Sequence, residues 1–210
     1  MILSEITAAM QAWSVVRNNA TALQNLFRGK NGFEIPANFE IIGEHLHVYP
    51  GVVNNELYFF LIPAYYDNIV FKQTIANRVI ACQTSSLRLD PITKRASAEE
   101  ENTSITENEA STSIGNWTNY SESWMESVVT TSSGMYKSFL VPMSDIEHGN
   151  QHSTFFALKG DDPTFVADLV TRDQTNGNFI GFYDLARPVP PFGSSGTASS
   201  LDEFYLLSLI

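Results

Sequence analysis

Residues 39–66 read FEIIGEHLHVYPGVVNNELYFFLIPAYY, and the order of residue types in this stretch decides the fold class. From Phe39 the period is two. Phe39, Ile41, Gly43, His45, His47 and Tyr49 fall on one side of an extended chain, with Ile42, Leu46 and Val48 on the other. Pro50-Gly51 and Asn54-Asn55 carry turn chemistry, and Glu56–Tyr66 follows as a second extended run. That run is apolar throughout from Leu57 to Ile62, as a strand covered on both faces would be, and Pro63 ends its ladder. The stretch predicts a β-hairpin buried on both sides.

The cover must come from the flanking sequence. Upstream, Ile6, Ala9, Met10, Trp13, Val16, Ala20, Leu23 and Phe27 recur at spacings of three and four, which predicts one amphipathic helix over 4–28. Ser4 is placed to cap it, Arg28 sits in the last turn, and Gly29 stops it. Downstream, the spacing of Trp117, Tyr120, Trp124 and Val128 predicts a second helix ending near Thr131. Residues 69–83 fit a helix or a strand equally well. Residues 84–113 contain no aromatic side chain and gather Glu99, Glu100, Glu101, Glu107 and Glu109. Ordering costs about 1–2 kcal/mol per residue, which so polar a segment does not recover by burial, so a mobile Ser/Thr/Glu-rich excursion is expected at 84–113.

The last third predicts strands over Met135–Val141, Ser153–Lys159, Thr164–Thr171 and Asn178–Ala186, each closed by Pro, Gly or Asp, in the pattern of an antiparallel meander. The ending LDEFYLLSLI fits a helix or a buried strand. Tyr58–Pro63 and Tyr136–Pro142 both close on Phe-Leu-(Ile/Val)-Pro with an Asp soon after, Asp67 and Asp145. Two similar half-units would explain that echo, and so would chance likeness between two proline-terminated strands. The expected fold is therefore a single α+β domain over residues 1–210. It has an antiparallel sheet of about six or seven strands, with the two Trp-bearing helices packed on one face.

Composition narrows function mainly by exclusion. Among 210 residues, 12 Lys and Arg stand against 23 Asp and Glu, a net charge of −11 that repels nucleic-acid phosphates and anionic membranes alike. No window holds ~18 consecutive apolar residues, so no spanning helix is expected. The N-terminus lacks a basic signal-peptide region, and a cytoplasmic location is the expectation. One cysteine, Cys82, excludes an intramolecular disulfide and reads first as a small buried hydrophobe. Phosphate-binding, dinucleotide-binding, nucleophile-elbow and zinc-protease motifs are all absent.

The histidines fall in two close pairs, His45-Leu-His47 and His148-Gly-Asn-Gln-His152, the second just after Asp145 and Glu147. Strand residues two apart point the same way, so His45 and His47 would offer two imidazoles to one ion, with His148, His152 and Glu147 completing a Zn or Fe site. A metal-dependent hydrolase or oxygenase would follow. The competing and preferred reading is a non-catalytic acidic binding or assembly protein without a cofactor. It would act through a protein partner or as a homo-oligomer, possible partners including a basic protein to be neutralised. Tyr58, Phe59, Phe60, Tyr65 and Tyr66 lie within nine positions, and any that face solvent would form an apolar contact patch.

Overall fold

A computed structural model describes residues 1–89, 105–146, 149–175, 178–184, 186–189 and 204–210. The chain is α+β, and its described residues form three helices and two antiparallel sheets where the sequence predicted one sheet and two helices. Strands β1 (Gly32–Ile35), β6 (Gln151–Lys159), β7 (Val166–Thr175) and β8 (Asn178–Tyr183) form a four-stranded sheet in that order. The five-stranded sheet runs β4 (Ile80–Gln83), β3 (Glu56–Pro63), β2 (His45–Val53), β5 (Ser138–Pro142) and β9 (Arg187–Val189).

The predicted hairpin is β2–β3. Its two-residue turn places Asn54 and Asn55 at φ 51° and 64°, the left-handed region that asparagine tolerates and that matches strand twist. Pro50 and Gly51 prove to lie inside β2, not in a turn. β5 pairs with His45–Val48, so among the described residues one edge of β2 carries no ladder beyond Val48, and a residue without an N–H fits there. Gly51 answers to packing. A Cβ at this position would stand 2.5 Å from the Phe60 ring and 3.1 Å from the Ala9 backbone, because α1 (Leu3–Val16) crosses the strand here.

The helix predicted over 4–28 is two helices. The apolar spacing continues through Val16 and Ala20, but Asn19 turns extended and its side chain accepts from the Ala22 N–H, capping α2 (Ala20–Phe27). Helix α3 spans Glu107–Val128 and so begins inside the stretch expected to be an excursion. Thr106 and Glu109 form a reciprocal capping box there, a signal that the low apolar content of the segment conceals. Most of the remaining excursion, 90–104, lies outside the described residues. Residues 69–83 resolve into short 3-10 turns at Ile69–Phe71 and Ile75–Arg78, followed by β4. The chain ending also forms a 3-10 turn, Tyr205–Leu209.

Three apolar clusters stack through the molecule. The central one lies between the sheets, where Phe33 of β1 stacks on Phe59 of β3 at 4.7 Å and Phe156 of β6 sits 5.5 Å from Phe59. Trp13, Phe27, Trp117 and Trp124 from all three helices close its side. Behind the five-stranded sheet, Ile6, Ala9 and Met10 of α1 meet Tyr49, Phe60, Ile62, Phe204 and Leu206. Behind the four-stranded sheet, Ala110 and Ile114 of α3 cover Phe155, Ala157, Val170 and Phe182. The helices thus do not share one face. Each sheet has its own, which is why the strands read as continuous apolar runs. The meander survives as β6-β7-β8, while β9 leaves it to pair with β5. The two echoing segments, β3 and β5, both belong to the five-stranded sheet, on either side of β2.

Candidate functional site

The hairpin register positions the site. Leu46 faces Pro63 across β2–β3, and the Ala64 N–H donates to the His45 carbonyl at 2.9 Å, so the chain leaving β3 emerges beside the histidine pair. Two tight turns, from Tyr66 N to Pro63 O and from Asp67 N to Ala64 O, then fold it back. They bring the Asp67 carboxylate against His47, with Oδ2 2.7 Å from Nδ1. The Tyr49 hydroxyl donates to the same oxygen, and the Leu206 N–H donates to Oδ1 at 2.9 Å. Phe204 stacks on the imidazole with ring centroids 4.0 Å apart.

His47, Asp67 and Tyr49 are all essentially buried. A buried carboxylate is tolerable only when hydrogen-bonded, and three donors meet this one. Burial, followed by the Asp67 charge, pushes the Tyr49 hydroxyl well above its ordinary range and keeps it a donor. In the tautomer that donates Nδ1–H to Asp67, the Nε2 lone pair is the ring's acceptor. Nε2 has no hydrogen-bond partner among the described residues. The ring lines a cavity of about 460 Å³ shared with Glu44, His45, Ala64, Asn68 and Leu140.

The loop that supplies Asp67 also carries the most exposed apolar side chains of this face. Tyr65, Ile69 and Val70 are 55%, 56% and 79% exposed. The loop is anchored beneath them. The Asn68 side chain accepts from the Val70 N–H at 2.9 Å, and Tyr66 donates to Glu40 at 3.0 Å. Arg78 both pairs with Glu40 at 2.8 Å and lies over the Tyr66 ring at 4.5 Å.

The histidines proposed as metal ligands are distributed as follows. His45 and His47 share the cavity wall. Glu147 and His148 lie outside the described residues. His152 belongs to β6 in the other sheet, buried, with Nε2 3.5 Å from Asp173 Oδ1, so it does not join His47. Among the described residues no three His, Cys, Asp or Glu side chains gather as metal ligands. Cys82 is buried and its thiol is pushed up to about 12 by burial, which removes the thiolate a nucleophile needs. Asp161 accepts from Thr164 in the turn before β7, as a turn former does. Sequence reasoning missed Asp67 as a partner of His47 and missed the C-terminal residues altogether.

Two buried groups give the fold opposed pH dependences. Burial pushes His152 down to about 4 from its ordinary 6.5, against a weaker pull upward from the Asn150 backbone. The unfolded chain therefore holds more protons at this position between those values, and the stability contributed is present above pH 6.5 and lost as pH falls to 4. Burial likewise raises Asp168 to about 7 from 3.8, outweighing Lys159 at 3.3 Å. Its contribution is full below pH 3.8 and lost as pH rises through 7. In urea titrations at pH 4.5 and 6.5, the deficit of His152→Gln relative to the wild type is expected to shrink toward acid. That of Asp168→Asn is expected to shrink toward neutrality. The same trend in both variants would contradict the assignment.

Among the described residues no helix is long and apolar enough to cross a membrane. Comparison with known proteins finds no matching family model, no matching curated protein and no matching solved structure.

Proposed function

We propose that this chain is a non-catalytic binding or assembly protein that acts through protein–protein contacts made by the 64–71 loop. One observation carries the reading. Tyr65, Ile69 and Val70 stand out from an anchored turn whose other residues, Ala64, Asp67 and Asn68, line a cavity. An apolar cluster beside a polar recess is the arrangement of a contact patch with a specificity pocket, and holding the loop in place beforehand lowers the entropy lost on docking. The net charge of −11 favours a basic partner by long-range attraction.

Ile69→Asp combined with Val70→Asp places two charges at the centre of the patch without touching the core. Protein captured from the source lysate by the wild type is expected to be lost, by at least about tenfold, on this variant. It should be retained on Val15→Asp, a charge placed at a 79% exposed position of α1 away from the loop. Light scattering on both variants reports self-association in the same way. Equal capture and equal mass for the wild type and the double variant would refute the reading.

A further inference from the structure

The cavity beneath the loop has a chemistry of its own. His47 is 2% exposed, yet its Nε2 is unpartnered among the described residues while its ring forms part of the cavity wall. The ring is buried but lines the open cavity, where a ligand that donates a hydrogen bond would meet the Nε2 lone pair. Glu44, exposed at the rim, adds a carboxylate, and Asp67 contributes the negative field behind the ring. Among the described residues no lysine or arginine lines the cavity, and Ala64 and Leu140 give it apolar walls. An anion would meet Glu44 and Asp67 with nothing to offset them.

We infer that this cavity binds a primary ammonium group on an aliphatic stem, as on a lysine side chain of the docking partner. The ammonium donates to His47 Nε2 and to the Glu44 carboxylate, and its methylenes lie against Ala64 and Leu140. The partner's identity as a lysine-bearing protein rests on the docking reading above, whereas the ammonium preference of the cavity does not.

The test uses n-butylamine hydrochloride, titrated into the isotopically labelled full chain at constant pH and ionic strength, with sodium acetate and zinc chloride as parallel titrants. Butylamine is expected to shift the His47 imidazole nitrogens and the Glu44 and Asn68 amides saturably. The dissociation constant should be about 1–10 mM, the range open to a ligand of so few atoms. Glu44→Gln, a change at an exposed position that leaves the fold intact, should weaken binding roughly three- to fivefold. No saturation by about 100 mM, equal shifts with acetate, or a response confined to zinc would each overturn the inference. The Ile69→Asp and Val70→Asp variant leaves the cavity wall unchanged and should still bind butylamine. Failure of the docking reading and failure of the ammonium site therefore give different results.

Discussion

Asp67→Ala is expected to destabilise the chain by about 3–5 kcal/mol, because each buried donor left without its acceptor costs about 1–3 kcal/mol. Three donors converge on the two oxygens of this carboxylate: His47 Nδ1, the Tyr49 hydroxyl and the Leu206 N–H. Alanine leaves all three buried without an acceptor, and a cavity remains where the carboxylate was. The loss has a local signature as well as a global one. Among the described residues, the hydrogen bond that ties the C-terminal turn to the sheet side by way of a side chain is the one from Leu206 to Asp67. Amides of 204–210 should therefore exchange faster in Asp67→Ala than those of β6 and β7, beyond what global destabilisation explains. Asp162→Ala, at an exposed turn position, should stay within about 0.5 kcal/mol of the wild type. If equilibrium urea unfolding separated Asp67→Ala from Asp162→Ala by less than about 1 kcal/mol, the network would not be the anchor described here.

Asp67 also shows where sequence reasoning stops. The hairpin was legible because an alternating run, an Asn-Asn turn and an unbroken apolar run are all local signals. Its register was legible too in principle. With Asn54-Asn55 as a two-residue turn, His47 must face Ile62, and the chain past Pro63 must emerge beside His45, three residues before Asp67. That arithmetic would have nominated Asp67 as the partner of His47. The alternation pattern instead suggested that two histidines on one face would share an ion. The bond from Leu206 to Asp67 joins residues 139 positions apart in the chain, the stacking of Phe204 on His47 spans still more, and no spacing rule reaches that far.

The division into two sheets was hidden for a related reason. Each strand advertises its own two-faced burial, but nothing local says which neighbours it takes. The departure of β9 from β8 to β5 is a fact of three-dimensional packing alone. The helical stripe misled in the opposite direction. Its three-and-four spacing runs unbroken through the capping break at Asn19, although α1 buries Ile6, Ala9 and Met10 behind the five-stranded sheet while Trp13 joins the apolar side of α2 in the central core.

Trp13 is the residue on which that stripe, the central core and the chain's long-range closure all depend, and Trp13→Ala is expected to cost about 3–5 kcal/mol. Its ring is 1% exposed, packed edge-on against Phe27 at 6.3 Å and tilted against Tyr136 at 5.8 Å. Its Nε1–H donates to the Tyr136 carbonyl at 3.0 Å, 123 residues away in sequence. One turn later Arg17 donates to the Ser133 and Met135 carbonyls, so the end of α1 holds the 133–136 segment by side chain and backbone together. The packing and hydrogen-bond contributions separate in Trp13→Phe. That variant keeps an aromatic ring against Phe27 but leaves the Tyr136 carbonyl without its donor, and should lose about 1–3 kcal/mol. For a chain of this length, the alanine variant should unfold roughly 6–20 °C below the wild type when followed by far-UV circular dichroism. The phenylalanine variant should fall between the two. An alanine variant within about 2 °C of the wild type would mean that α1 is held by its contacts over Gly51 alone, and that the central core closes without it.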